Sequence, residues 1–189
     1  MPKEPPLLEA SSIGKQFPGV RALHNVNLTL FQGEILSLVG ENGAGKSTMM
    51  KLLAGIHLPD DGAIKLNGDL VEITNVREAQ KYGIALIHQE LNLSDNLDIA
   101  ANIFLGNEPH KNGVMDHNRI HRESAQFLKR VGLEFPTDTL VADLTIGHQQ
   151  LVEISKALSV DARIIIMDEP TSSLSQKESE KLFEVIRGL

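Results

Sequence analysis

The sequence predicts an α/β fold in which buried strands alternate with helices around a largely parallel sheet. Two apolar runs without polar alternation, at residues 35–39 and 163–167, are typical of strands that are buried on both faces. A helix-like stretch follows each run, at residues 46–54 and 175–189. Strands that alternate with helices are typical of α/β domains with parallel sheets.

The other elements support the same fold and indicate an insertion. Further strands are expected at residues 7–13, 25–31, 63–66, 69–73 and 84–87, and a short helix at 75–82. The pair Asn67-Gly68 predicts a hairpin turn between the strands at 63–66 and 69–73. Strand signals nearly vanish between residues 92 and 158, where helices are expected at 98–105, 118–131 and 147–158. We therefore expect a single domain over residues 1–189, with an α/β core at 1–91 and 159–189 and an inserted helical subdomain at 92–158.

Composition restricts the class of protein. The 189 residues are 41% hydrophobic and 23% charged, which is typical of a globular domain, and the net charge of −7 disfavours a nucleic-acid-binding surface. The chain has no cysteine, which excludes a disulfide framework and a cysteine-ligated zinc site. No apolar run approaches the roughly 18 residues of a membrane-spanning helix, and no apolar stretch typical of a signal peptide follows the N-terminus.

A glycine-rich segment between the strand at 35–39 and the helix at 46–54 predicts a phosphate site. It fits the pattern G-x4-G-K-S/T and consists of Gly40, Glu41, Asn42, Gly43, Ala44, Gly45, Lys46 and Ser47, with Thr48 next. Glycines allow the backbone to curl so that its N–H groups point at phosphate oxygens, and the helix begins with its positive dipole end. Lys46 can reach the β- and γ-phosphates, and the Ser47 hydroxyl can coordinate Mg²⁺.

Two carboxylates follow the strand at residues 163–167. Ligand sites in parallel sheets lie beyond the carboxyl ends of the strands, where Asp168 and Glu169 stand. We expect Asp168 to hold the Mg²⁺ shell, directly or through water, and Glu169 to orient and deprotonate an attacking water molecule. The alternative is that both side chains merely cap or solvate the strand end.

A pair of histidines is a competing metal site. His117 and His121 are spaced by four residues, which places both on one face of a helix. No third ligand is close to them in the sequence, so we interpret this pair as part of a solvated helix face.

Taken together, the phosphate loop and the acidic strand end resemble the Walker A and Walker B motifs of ABC-type ATPases. Three further stretches fall in that family's order: Gln89 resembles the Q-loop glutamine, Phe17 resembles the aromatic residue that stacks on adenine, and residues 144–148 stand where the signature Leu-Ser-Gly-Gly-Gln belongs. The last stretch is Leu144, Thr145, Ile146, Gly147 and His148, which departs from that signature at its second, third and fifth positions. The resemblance implies a P-loop ATPase core sheet, with Gln89 contacting the metal. A core-packing or hinge role is the alternative for Phe17.

Longer stretches resemble the N-terminal half of monosaccharide-importer ATPases of the ribose type. They include FPGVRAL from residue 17, IHQELNL from residue 87 and IIIMDEPTSSL from residue 164. The resemblance implies ATP and Mg²⁺ as ligands, transmembrane permease subunits and a second nucleotide-binding half as partners, and indirectly a periplasmic sugar-binding protein. It places the protein peripherally on the cytoplasmic face of the inner membrane, with no nucleic-acid partner.

The resemblance also suggests that the domain is incomplete at its C-terminal side. ABC-type domains continue into another strand and a switch histidine, and none of the seven histidines follows Asp168. We therefore expect the C-terminal strand or strands to be missing, and the 189 residues by themselves to bind ATP but to hydrolyse it weakly. Two other functions stay open: an ABC-type fragment that binds nucleotide without transport or appreciable hydrolysis, and an ABC protein that acts on DNA or ribosomes.

Overall fold

The computed structural model describes residues 5–88 and 91–189. The chain forms two compact units, Met1–Ile84 and Ala85–Leu189. Within the described ranges, no helix is both long and apolar enough to cross a membrane. The predicted division at residues 91 and 158 stays a prediction.

An antiparallel sheet dominates the first unit. Its strands are β1 (Leu8–Phe17), β2 (Val20–Leu30), β3 (Asp61–Leu66) and β4 (Asp69–Val71), in the order β2-β1-β3-β4. Leu8 pairs with Leu30 on one side and with Leu66 on the other, and both pairings of β1 are antiparallel.

The prediction of a largely parallel sheet is therefore wrong for this unit, and the connections between its strands explain why. Only two residues separate β1 from β2 and β3 from β4, and so short a link can join only antiparallel neighbours. The second link is the Asn67-Gly68 turn, in which both residues have positive φ, 51° and 88°, as a tight hairpin requires.

Two helices belong to the same unit. Helix α1 (Lys46–Leu53) buries Met49, Leu52 and Leu53, and helix α2 (Val76–Lys81) begins at Asn75, whose side chain accepts a hydrogen bond from the backbone N–H of Glu78. Both helices lie within one or two residues of their predicted ranges. Local signals were sufficient here, because an amide cap and a run of helix-favouring residues are both visible in the sequence.

The predicted strand at residues 35–39 does not form, although its composition is strongly apolar. The segment joins no β-ladder among the described residues. Its side chains lie in solvent, with Ile35 61% and Val39 94% exposed. An extended segment becomes a strand only when a neighbouring backbone pairs with it, and composition cannot supply that neighbour.

The second unit is mainly helical. Strands β5 (Ile84–Ile87) and β8 (Ile164–Met167) pair with each other. The helices are α3 (Ile99–Phe104), α4 (His117–Arg130), α5 (Ile146–Ser159) and α6 (Gln176–Gly188), with a 3-10 turn at Val141–Asp143. Their apolar faces form one core, in which Ile99, Val141, Val152 and Ile154 are fully buried. The four predicted helices are confirmed, whereas the two-residue strands β6 (His110–Lys111) and β7 (Val114–Met115) were not predicted.

Candidate functional site

The glycine-rich segment forms an open, curled loop at the start of α1. Gly43 and Gly45 have φ values of 84° and 88°, a left-handed conformation that favours glycine. The backbone N–H of Ala44 donates to the carbonyl of Glu41 at 3.1 Å and closes a turn. Residues 40–44 are exposed, so the concave side of the loop is accessible to a ligand.

Gly45 is required by packing as well as by conformation. A Cβ atom at this position would lie 2.6 Å from the backbone oxygen of Ala22 and 2.7 Å from Cδ2 of Leu23. Gly45 is also the N-cap residue of α1, and it has no side chain that could cap that helix. The first turn of α1 therefore presents backbone N–H groups that no capping side chain covers, which favours an anion there.

Lys46 lies across this loop. Its Nζ donates to the carbonyl oxygens of Gly40 at 2.7 Å and of Glu41 at 3.0 Å. The side chain thus reaches across the loop to its first residues, and an ammonium group at the loop can contact the β- and γ-phosphates of a nucleotide. Ser47 and Thr48 follow in the first turn of α1, both half-buried.

Phe17 lies at the end of β1, in the same unit as the loop. Its half-buried ring meets the edge of the His57 ring at a centroid distance of 5.3 Å, and Nζ of Lys15 lies 5.7 Å from the ring centroid. Lys15 itself is held by Asp60 at 2.8 Å. The ring is thus partly packed, and stacking on adenine stays a prediction.

The acidic strand end lies in the second unit. The backbone N–H of Asp168 donates to the carbonyl of Ile87 at 3.1 Å, which extends the pairing of β8 with β5. The next residue, Glu169, has a φ of 48°. A glutamate in this left-handed region costs about 1–3 kcal/mol, and strain of this kind is concentrated at functional sites.

Glu169 also borders a cavity of about 400 Å³. Its other lining residues are Leu91, Leu93, Asp95, Ile146, Gln149, Gln150, Pro170, Ser172, Ser173 and Leu174. Gln150 is 5% exposed, and its amide nitrogen has no hydrogen-bond partner among the described atoms. The residues that follow the strand end and the start of α5 therefore line one open cavity with both polar and apolar walls.

The stretch that resembles the ABC signature forms the start of α5. Thr145 caps this helix by accepting from the backbone N–H of His148 at 3.3 Å. The ring of His148 packs edge-on against Phe135 at 4.9 Å, and the Ile146 side chain is 45% exposed. Thr145 thus has a hydroxyl group at the position where the signature usually has serine.

Three polar residues that organise the second unit were missed by sequence reasoning. Glu178 contacts Thr145, Glu153 accepts from the backbone N–H of Asn92 at 2.7 Å, and Asn102 bonds the backbone of Ser94 through both its amide atoms. Of these three residues, only Glu178 could have been identified from the sequence, because Ser175 and Glu178 have the spacing of a capping box. The other contacts join residues that only the fold brings together.

Two predictions concern metal ligands. Gln89 lies outside the described residues. His121 bonds the hydroxyl of Thr137 at 2.9 Å, and the described part of the chain contains no group of three or more His, Cys, Asp or Glu side chains that could hold a metal ion by itself.

The comparisons with known proteins agree on one family. The family model described as ABC transporter matches residues 23–172. The chain is 50% identical over 185 residues to a ribose import ATP-binding protein, RbsA, of Caldanaerobacter subterraneus subsp. tengcongensis, covering 97% of this chain and 37% of that protein. It is 49% identical over 186 residues to a xylose import ATP-binding protein, XylG, of Photobacterium profundum, again covering 97% and 37%.

A solved structure gives the same answer for the fold. The crystal structure of a nucleotide-free ATP-binding cassette from an ABC transporter matches with a TM-score of 0.86 at 22% identity, covering 96% of this chain and 76% of that one. The expected P-loop ATPase fold of the ABC type is therefore confirmed. The chain spans little more than a third of the length of the two sugar-import relatives, 37% in each case. Since the family model matches most of the chain, including the phosphate loop, the helix start at Thr145 and the acidic strand end, the chain belongs to the ABC transporter family.

Proposed function

We propose that this chain is the ATP-binding and ATP-hydrolysing part of a protein that powers import of a monosaccharide. The observation that carries the proposal is the loop at residues 40–47, with Gly43 and Gly45 left-handed and Lys46 held over the curl. The similarity to import proteins for ribose and for xylose supports a pentose or a similar sugar as the transported substrate.

In this proposal the loop and Lys46 bind and orient the triphosphate. Backbone N–H groups and the ammonium group stabilise the charge that spreads over the γ-phosphate as water attacks in line. Glu169 orients the attacking water and accepts its proton, for which its position on the wall of an open cavity is suitable. Catalysis then comes mostly from positioning and electrostatics.

The oxygen atoms of the Ser47 and Asp168 side chains are suitable ligands for a Mg²⁺ ion that binds together with the nucleotide. Mg²⁺ is usually held by one or two protein oxygens together with substrate phosphates and water. Among the described residues, no cluster of three acidic or histidine side chains exists, so the phosphates would supply much of the coordination. We assign the Ser47 hydroxyl and Asp168 to this role, with Gln89 as a third candidate. When bound, the ion neutralises charge on the β- and γ-phosphates.

The partners follow from the same proposal. A sugar importer needs transmembrane permease subunits and a second nucleotide-binding half, and indirectly a periplasmic sugar-binding protein. The ATP-binding part would lie peripherally on the cytoplasmic face of the inner membrane. The alternatives of a fragment without hydrolysis and of a protein that acts on DNA or ribosomes are not favoured by the similarity to import proteins.

Replacement of Glu169 tests the proposed chemistry. Glu169→Gln removes the proton acceptor but preserves the shape, so we expect turnover to fall by about 10²–10⁴-fold while ATP still binds. Steady-state hydrolysis and nucleotide binding should be measured on the same preparations. Glu184→Gln, which removes the same charge from the exposed side of α6, is the matched control. Equal turnover in the Glu169 variant and the wild type would reject this residue as the base.

Transport is tested in the assembled system. The polypeptide that contains this chain should be reconstituted with its permease subunits in vesicles, and ATP hydrolysis measured with a sugar-loaded binding protein. We expect ribose or xylose to stimulate hydrolysis and to accumulate in the vesicles. Hydrolysis that is indifferent to every sugar, but responds to DNA or ribosomes, would contradict the proposed transport function.

A further inference from the structure

One carboxylate in the second unit contacts the first turns of two helices at once. Glu178 Oε2 accepts from the backbone N–H of Ser175 at 3.0 Å and from its hydroxyl at 2.7 Å, which completes the capping box of α6. Oε1 accepts from the hydroxyl of Thr145 at 3.2 Å, and the carboxylate lies against the backbone of Gly147. The two oxygens therefore serve different helices, α6 and α5.

The contact with α5 is close enough to restrict the residue at position 147. A Cβ atom on Gly147 would lie 2.5 Å from Oε1 and 2.7 Å from Cγ of Glu178. No larger residue fits without displacing the carboxylate, because Cβ atoms do not approach other heavy atoms that closely. Gly147 and Glu178 thus fit each other as a pair.

Electrostatics favours the same arrangement. Both helix N-termini carry partial positive charge, so a shared anion stabilises both. Hydrogen bonds from the Ser175 side chain and backbone, followed by that from Thr145, lower the pKa of Glu178 from its usual value. The half-buried carboxylate is therefore ionised at neutral pH and bound on both sides.

The same region leads back to the acidic strand end. The backbone N–H of Ser172 donates to the carbonyl of Glu169 at 3.1 Å, and that of Leu174 donates to Thr171 at 3.2 Å. Two successive turns therefore connect Glu169 to Ser175, where α6 is capped. Glu178 fixes the end of this segment to the start of α5.

We propose that Glu178 is a positioning residue for ATP hydrolysis, which holds the start of α5 at Thr145–Gly147 in fixed register with the segment that carries Glu169. The inference rests on the proposed function, because it assigns Glu178 a role in the reaction that Glu169 serves. A residue that only capped α6 would stabilise that helix without affecting α5.

Substitutions on α6 separate these two roles. Glu178→Gln keeps one oxygen, which suits the capping box, but its amide nitrogen cannot accept from the Thr145 hydroxyl. Glu180→Gln is the control, because it removes the same charge from the same helix and its carboxylate accepts from Gln176 instead. Ser175→Ala removes a cap hydroxyl and leaves the oxygen that faces α5 in place.

The first readout is amide hydrogen exchange in the 189-residue chain, which needs no turnover. We expect Glu178→Gln to accelerate exchange at residues 146–148 and 172–175 by about tenfold or more. Ser175→Ala should accelerate exchange only at the start of α6, and Glu180→Gln at neither site. Unchanged exchange at residues 146–148 in Glu178→Gln would overturn the proposal.

The second readout is the kinetics of ATP hydrolysis by the longer polypeptide that contains this chain, assembled with its permease subunits. Because a small misplacement lowers the rate without removing binding groups, we expect Glu178→Gln to reduce kcat by about tenfold or more with KM within about twofold. An equal loss in Ser175→Ala, or no loss in Glu178→Gln, would overturn the positioning role. Absence of turnover in the wild type would instead count against the proposed function, and the exchange measurement would still decide whether the carboxylate joins the two helices.

Discussion

At the scale of single residues, left-handed backbone occurs both in the phosphate loop and at the acidic strand end. Gly43 and Gly45 adopt it in the phosphate loop, where glycine bears it without steric cost. Glu169 adopts it at the strand end, where a side chain makes it unfavourable. The glycines could be predicted from the motif, whereas the strained glutamate could not, because its conformation depends on the turn that follows β8.

The phosphate loop gives a prediction about Gly45. Gly45→Ala combines left-handed strain with a Cβ only 2.6 Å from the oxygen of Ala22, so we expect the loop to be displaced and ATP affinity to fall by at least about tenfold. Gly68→Ala is the matched control, because Gly68 has the same φ of 88° and nothing within 4 Å of the added Cβ. Isothermal titration of both variants measures the difference. Equal affinities would contradict the importance of the close approach.

Contacts between residues that are far apart in the sequence could not be predicted from the sequence. The bond between Thr145 and Glu178 spans 33 residues, and that between Asn92 and Glu153 spans 61. Residue types and local spacing predicted the glycine-rich loop and the lysine that lies across it, because the loop is one contiguous motif. They could not predict which carboxylates organise α5, because those partners meet only in the folded chain.

At the scale of elements, helix starts were predictable because their caps are local. Among the described residues, five of the six helices begin with a side chain that accepts from a backbone N–H in the first turn of a predicted helix, and these caps are Asn75, Asp98, Asp116, Thr145 and Ser175. The segment at 35–39 shows the limit. Its apolar composition suits a strand, but the pairing that makes a strand is not local.

Helix α5 gives a prediction about pH. Burial raises the pKa of Glu153, against the opposing effects of Lys156, the Asn92 N–H and His88. Because the pKa of Glu153 is higher in the folded than in the unfolded chain, its protonated form stabilises the fold. This stabilisation is fully present at pH values below the unfolded-state pKa of 4.5, and it is lost as the pH rises through the folded-state pKa. Glu153→Gln keeps an acceptor for Asn92 without the charge. We therefore expect the Glu153→Gln variant to be at least as stable as the wild type at pH 7, and its stability not to fall in this way as the pH rises.

Chemical denaturation of both proteins between pH 4 and 8 measures the effect. Glu153→Leu is the comparison, because it leaves the Asn92 N–H without its acceptor and should cost about 1–3 kcal/mol. A wild-type protein that gains stability relative to Glu153→Gln as pH rises would show that the charged form is favoured, contrary to the account.

The exposed apolar segment gives a prediction about self-association. Ile35, Leu36, Leu38 and Val39 are 61%, 42%, 39% and 94% exposed, and a continuous apolar stretch of this kind attracts other apolar surfaces. We expect the 189-residue chain to associate with rising concentration, and Ile35→Lys to reduce that association. Val114→Lys introduces the same charge at a site that is 71% exposed in the hairpin of β6 and β7. Sedimentation that shows a monomer at every concentration, or equal relief by both variants, would contradict this.

At the scale of the whole molecule, the fold class and the family were predictable, and the strand directions of the first unit were predictable only in part. Motif order identified the ABC-type fold because Walker A, signature and Walker B are each recognisable and follow one another. The Asn67-Gly68 turn predicted the hairpin of β3 and β4, which is confirmed. The antiparallel pairing of β1 with β2 and β3 was missed, because the strands were interpreted from their apolar content alone. The chain spans 37% of the length of the ribose-import relative, and weak hydrolysis by these 189 residues alone stays a prediction.

The central claim is that the loop at residues 40–47 binds ATP through Lys46, and direct nucleotide titration tests it. We predict that the wild-type chain binds ATP and that Lys46→Ala binds at least about tenfold more weakly, because a charge-assisted contact to phosphate is lost. Lys51→Ala, one turn further along α1, should bind as the wild type does. Absence of binding by the wild type, or equal affinity in the Lys46 and Lys51 variants, would contradict the account.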